Sequence, residues 1–249
     1  MSGHSKWSTI KRKKEKIDAK RGKIFTRIGR DLTISAREAG GDVETNARLR
    51  AAVLAAKAAN MPSDNIDRAI KRGTGELPGV NYEEAQYEGY GPGGVAIMIE
   101  VLTDNLNRSV AEIRHAFTKC GGSLGEPGCV SWNFDKRGVL AIEGEDIDED
   151  ELFMAALEAG AEDVRDEEGT YVAYTLPERM QAIKESLEKS GYVFGSAEVA
   201  QVPKSLVPLT GKEAERCLRL VDMLEELDSV QYVFANFDIP QEVIDSFVG

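Results

Sequence analysis

Histidine is nearly absent from this chain: His4 and His115 are the two among 249 residues. Neither belongs to a set of Cys and His ligands, so local sequence builds no zinc site. The string G-x-S-x-G at Gly121–Gly125 follows a helix and enters a strand, the reverse of a strand-to-helix nucleophile elbow, and there is no Walker lysine motif, so the commonest signatures of a nucleophile or a phosphate cradle are not met. The expectation is a non-enzymatic protein without catalytic residue, metal, cofactor or small-molecule substrate. Cysteine is also scarce. Cys120, Cys129 and Cys217 are odd in number and unrelated in spacing, which favours free thiols in a reducing compartment, serving as small buried apolar residues. No stretch approaches the roughly 18–20 uncharged apolar residues of a membrane span. The basic N-terminus is followed by no apolar segment of a secretory signal. These absences together predict a soluble, cytoplasmic protein with no membrane partner.

What the chain does have is charge, unevenly spread. Its 31 Lys and Arg oppose 43 Asp and Glu, a formal net charge of −12. Residues 1–72 hold 18 of the basic and 8 of the acidic side chains, a balance of +10, leaving 13 and 35, or −22, for the rest. An asymmetry of that size points to a polyanion-binding segment on an acidic body.

Hydrophobic periodicity divides the chain further. Residues 1–22 carry only Trp7, Ile10 and Ile17 as large apolar groups and read as a basic arm. From Lys23, Ile24, Ile28 and Leu32 recur at helical spacing until Gly40-Gly41. A second helix follows from about Asn46 to Asn60, and a third, with Ser63 as N-cap, closes at Gly73. Residues 23–76 therefore form a helical domain. Beyond it the sequence turns acidic and β-branched. Residues 94–103 (GVAIMIEVLT) read as a buried strand, 105–120 as a helix, and 123–124 and 130–134 as strands. From Gly138 to residue 202 the order strand, helix, strand, strand, helix, strand is the split βαβ, or ferredoxin-like, arrangement. Residues 210–237 supply one more helix, opened by a Thr210/Glu213 capping box, and one more strand. The predicted fold class is α+β, with an all-helical N-terminal domain and two ferredoxin-like domains. One of these (138–205) is inserted in the other (77–137 plus 206–249).

Two strings mimic ligand sites. Gly89–Gly94 spells G-x-G-x-x-G but precedes a strand instead of opening a helix, and Pro92 removes a backbone donor, so it reads as a turn. Asp146, Asp148 and Asp150 imitate the start of a calcium loop, yet the required Gly and Glu positions hold Glu151 and Leu157. That acidic run reads as a lead into a helix N-terminus, where negative charge is favoured.

The arm carries the functional signal. Lys6, Lys11, Arg12, Lys13, Lys14, Lys16, Lys20, Arg21, Lys23, Arg27 and Arg30 are opposed within their span by Glu15 and Asp18 alone. A solvated helix face mixes signs, whereas a run of one sign neutralises phosphates and releases counterions. Trp7 lies inside the run and can stack on an unpaired base or anchor the arm. These twelve residues are the candidate nucleic-acid contacts. No helix pair shows the short helix–turn–helix spacing with a recognition face. The target is therefore open between DNA and ribosomal RNA, with an acidic protein partner as a third class.

Longer strings carry a family resemblance. G-H-S-K-W (Gly3–Trp7), D-A-K-R-G-K-I-F-T (Asp18–Thr26), N-M-P-S-D-N-I-D-R-A-I-K-R-G (Asn60–Gly73), Y-E-G-Y-G-P-G-G (Tyr87–Gly94) and N-R-S-V-A-E-I-R-H-A-F-T-K-C-G-G (Asn107–Gly122) closely resemble the YebC/PmpR family of probable transcriptional regulatory proteins. Arg12 departs from the pattern, since relatives often have His there. The resemblance implies a cytoplasmic, non-enzymatic protein of three domains around an open cavity, with no cofactor, that binds DNA and controls transcription. Mitochondrial relatives are translational activators and bacterial members are linked to the ribosome, so ribosome binding is the implied alternative.

Overall fold

The computed structural model describes residues 18–144, 147–167 and 170–248. Three helices open it: α1 (Asp18–Ala39), α2 (Ala47–Ala58) and α3 (Ser63–Gly73). The first begins five residues before the expected Lys23, so the end of the basic arm is helical. Leu32 and Ala36 of α1, Leu49, Val53 and Ala56 of α2, and Ile66 and Ala69 of α3 bury one shared apolar cluster.

Two small residues fix how these helices meet. At Gly73 any Cβ would lie 2.3 Å from the Thr33 carbonyl oxygen, so α3 crosses α1 at a distance only glycine allows. Asn46, 2% exposed, caps α2 by accepting the Leu49 N–H at 3.0 Å, and its amide donates to the carbonyls of Ser35 (2.7 Å) and Gly40 (2.8 Å). It thereby ties the end of α1 to the start of α2. Asn46→Ala removes the partner of the buried Leu49 N–H and of the Ser35 and Gly40 carbonyls and is expected to destabilise the helical unit by about 1–3 kcal/mol. Urea unfolding followed by far-UV circular dichroism measures this, and a loss below about 0.5 kcal/mol would contradict it. At α3 the capping expectation shifts by one residue: Ser63 is the first helical residue, and Pro62 occupies the cap position without a side-chain bond.

The rest of the described chain builds two four-stranded antiparallel sheets. The elements are β1 (Glu83–Tyr90), β2 (Ala96–Thr103), α4 (Leu106–Cys120), β3 (Ser123–Leu124), β4 (Phe134–Glu143), α5 (Glu149–Ala159), β5 (Asp163–Asp166), β6 (Tyr171–Thr175), α6 (Met180–Lys189), β7 (Val193–Pro203), β8 (Val207–Pro208), α7 (Gly211–Glu225), β9 (Val230–Ala235), β10 (Phe237–Asp238) and α8 (Gln241–Val248). The first sheet has the order β3-β1-β2-β9 and the second β5-β6-β4-β7. A two-stranded parallel pair, β8 with β10, and the helix α8 were not anticipated.

The second sheet is the split βαβ order read from the sequence. The first departs from it in an informative way. The expected strand at 130–134 is a single 3-10 turn, Ser131–Asn133, after which Phe134 starts β4 in the other sheet. The missing position is filled from upstream by β1, paired with β2 from Glu83↔Thr103 to Tyr90↔Ala96. Each sheet thus has the same spatial order, reached by different connections. Between β1 and β2 the G-x-G-x-x-G string forms a tight connection, with Gly93 (φ 71°) and Gly94 (φ 78°) in the left-handed region.

β2 is buried on both faces. Ile97, Ile99 and Val101 pack with Ile113 and Phe117 of α4 and with Leu218 and Val221 of α7. Ala96 and Met98 face the other way and meet Phe134 and Phe234, with Ala200 of β7 beside them. The helix-free faces of the two sheets therefore meet there. α4 is closed as its sequence dictates: Asn105 caps it, accepting the Arg108 N–H at 3.0 Å, and Gly121 (φ 83°) ends it. Asp148 likewise caps α5 through the Glu151 N–H at 3.0 Å, which explains that part of the acidic run. Thr210, by contrast, makes no side-chain cap bond, so the expected capping box at α7 does not form. Cys120 and Cys217 are buried and Cys129 half-buried, all with thiols raised above their ordinary range by burial, Cys217 to about 12.

Candidate nucleic-acid interface

Of the twelve residues singled out from the sequence, Lys6, Trp7, Lys11, Arg12, Lys13, Lys14 and Lys16 lie outside the described residues. Lys20, Arg21, Lys23, Arg27 and Arg30 fall on α1, where spacings of three and four residues put positions 23, 27 and 30 on one stripe. The two arginines at its end turn toward the acidic body. The Arg27 guanidinium stands 5.3 Å from the ring centroid of Tyr232, and that of Arg30 stands 5.5 Å from Tyr82. Arg30 also donates from Nη1 to the Asp228 carbonyl.

Other arginines of the helical unit are similarly engaged. Arg37 donates to the Val80 carbonyl at 3.1 Å, and Arg50 donates to those of Val43 and Glu44. Arg48 pairs with Asp31 (3.2 Å), Glu38 (2.8 Å) and Glu84. Burial works against its charge, but the hydrogen bond to Glu84 and the three carboxylates outweigh it and hold Arg48 protonated. Asp31 nevertheless titrates higher than an ordinary aspartate, because its own burial exceeds the help it receives from Arg48.

α3 presents the opposite picture. Arg68, Lys71 and Arg72 are exposed at i, i+3 and i+4, and no described residue pairs with them or with exposed Lys57 on α2. The sequence reading passed over them because they fall outside the dense arm, although K-R-G at 71–73 on a helical period was the available signal. The connection between α2 and α3, residues 59–62, is four residues long. Among the described residues no group of three His, Cys, Asp or Glu could hold a metal ion, and no helix is long and apolar enough to cross a membrane.

The features now in hand define a class: an α+β protein with a basic helical unit at one end and two antiparallel sheets making up its acidic remainder. Family models narrow this. Residues 5–76 match the N-terminal domain of the TACO1/YebC protein, and residues 82–237 match the second and third domain of TACO1/YebC. A probable transcriptional regulatory protein of Geobacter sulfurreducens is 56% identical over 248 residues, covering 100% of both chains. One from Pelotomaculum thermopropionicum is 57% identical over 96% of this chain and 99% of its own. The crystal structure of a conserved hypothetical protein from Aquifex aeolicus is similar with a TM-score of 0.81 and 47% identity, covering 90% of this chain and 93% of that one. The chain belongs to the TACO1/YebC family.

Proposed function

We propose that the chain is a non-enzymatic, nucleic-acid-binding regulator, acting in the cytoplasm on DNA to control transcription. In this reading its arm and helical unit make sequence-tolerant phosphate contacts. The observation that carries it is the exposed basic face of Arg68, Lys71 and Arg72, without a described partner, on the helical unit that follows the basic arm, residues 1–72 together holding the +10 balance. Guanidinium and ammonium groups without an internal acceptor are available to phosphate oxygens. The relatives named as probable transcriptional regulators support the regulatory part of the reading. The acidic sheets repel a polyanion and so confine it to the helical end.

Replacing Arg68, Lys71 and Arg72 with glutamine is expected to weaken duplex binding by roughly tenfold to a hundredfold and to lower the salt slope by about two to three units. Fluorescence anisotropy across a potassium chloride series measures both, and an unchanged slope would remove α3 from the interface. Crosslinking in cells followed by sequencing decides the target. Promoter fragments support the transcriptional reading, whereas ribosomal RNA would replace it with a translation factor using the same phosphate contacts.

A further inference from the structure

None of the buried apolar clusters among the described residues joins the helical unit to the first sheet. One closes entirely within α1, α2 and α3, and those of the sheet contain no residue of these helices. Arginines instead carry side-chain contacts across the seam. Arg27 lies over Tyr232 of β9, Arg30 over Tyr82, and Arg30 donates to the Asp228 carbonyl. Arg48 reaches Glu84 of β1, and Arg37 reaches the Val80 carbonyl. The Nε of Arg30 is buried without any acceptor.

Contacts of this kind differ from an apolar seam in two ways. Dissolved salt screens them. Phosphate also competes for them, because the planar guanidinium binds it by the same fork of N–H groups and the same charge that holds the ring and the carbonyl. Arg27 and Arg30 end the basic stripe that starts in the arm, so a phosphate backbone following that stripe meets them next.

We infer that this seam is a polyanion-released latch. Phosphate groups arriving along α1 draw Arg27 and Arg30 away from Tyr232, Tyr82 and the Asp228 carbonyl, and the helical unit is then free to reorient against the first sheet. The natural polyanion rests on the nucleic-acid reading above, but the latch itself does not. Coupling is reciprocal: weakening the sheet side of the latch strengthens polyanion binding.

The test is a distance across the seam. Nitroxides on Lys57→Cys and Lys212→Cys, in a Cys129→Ala background, report it by pulsed electron paramagnetic resonance on the full chain. At about 0.05 M salt the distribution is narrow; at about 1 M salt, or with inorganic polyphosphate at low salt, it broadens. The variant Tyr82→Ala/Tyr232→Ala/Glu84→Gln, which removes no phosphate-binding group, is broad already at low salt. It binds polyphosphate about fivefold or more tightly. Glu84→Gln alone, at an exposed position, gives the same direction should the triple variant fold poorly. A distribution unmoved by polyphosphate and by both variants overturns the latch, as does bound nucleic acid that leaves it narrow. Broadening by polyphosphate without any binding of DNA or RNA upholds the latch and sinks the nucleic-acid reading instead.

Discussion

Replacing Lys11, Arg12, Lys13 and Lys14 with glutamine lowers nucleic-acid affinity by about two to three orders of magnitude near 0.1 M salt and flattens the salt slope by about three to four units. The magnitude follows from counterion release. Each cation that sits on a phosphate of duplex DNA displaces close to one condensed counterion, so the logarithm of the binding constant loses about 0.9 of slope per contact. These four residues are consecutive and close no ring of opposite charge: within Lys6–Arg30 only Glu15 and Asp18 are acidic. The effect should be nearly independent of DNA sequence, since phosphates position a protein and carry no base identity. A control set at Lys184, Lys189 and Lys212, on the acidic remainder, should change the slope by less than about one unit. Equal losses from both sets would mean that net charge, not the arm, governs binding. The same substitutions should also leave thermal stability within about 0.5 kcal/mol of the parent, because so little apolar surface accompanies them.

Charge distribution was legible in the sequence because it needs no geometry to be counted. What each charge touches was not. Arg27 and Arg30 belong to the arm's run by composition, yet in the folded chain they face Tyr232 and Tyr82. A guanidinium suits an aromatic ring and a phosphate equally well, so only tertiary placement decides between them. Arg68, Lys71 and Arg72 show the converse: too sparse to register as a run, they are among the cations of the helical unit left without a described partner.

Secondary structure divides along a similar line. α4 was readable because Ile113, Phe117 and Cys120 keep the helical period and Gly121 stops it. The second sheet was readable because its β-branched runs are bounded by glycine and proline. Two errors in the first sheet share one physical cause. β1 reads E-E-A-Q-Y-E-G-Y and looks like an acidic loop, because one of the positions it buries is Glu88. Val130–Phe134 looks like a strand, but the amides of Val130 and Ser131 go to that carboxylate and those of Asn133 and Phe134 close a 3-10 turn. A buried acid inverts the polarity signal on which strand reading depends.

Glu88 therefore carries the second large expected effect. It is 5% exposed, and its carboxylate accepts the N–H groups of Gly128 (3.0 Å), Val130 (2.8 Å) and Ser131 (2.9 Å). The loop it gathers leads from the first sheet to β4 in the second. Trp132 of the same loop, 63% exposed, and Tyr90 at the end of β1 both donate to the Cys129 carbonyl, at 2.9 and 2.8 Å. Burial alone would raise the pKa of Glu88, but the three backbone donors and the Ser131 hydroxyl outweigh it, and the carboxyl titrates below an ordinary glutamate. The sign of the linkage follows. In the window between the folded and unfolded pKa values the unfolded chain binds more protons. The contribution of Glu88 is complete above the unfolded value, near 4.3, and is lost as pH falls through the folded one. Glu88→Ala strands the buried Val130 N–H and the part-buried N–H groups of Gly128 and Ser131 and is expected to cost about 3–4 kcal/mol near neutral pH. Glu88→Gln keeps one acceptor but turns its amide N–H groups against backbone donors, at a cost of about 2–3 kcal/mol. Both remove part of the acid-dependent slope that the parent shows below pH about 4.3. Urea unfolding at a series of pH values, read by the fluorescence of Trp132 with Trp7 replaced by Phe, gives the stabilities and the slope. Hydrogen exchange at Gly128, Val130 and Ser131 should accelerate in both variants before any change reaches α4. A Glu88→Gln protein as stable as its parent, with the same acid slope, would show that the loop is held by something other than this carboxylate.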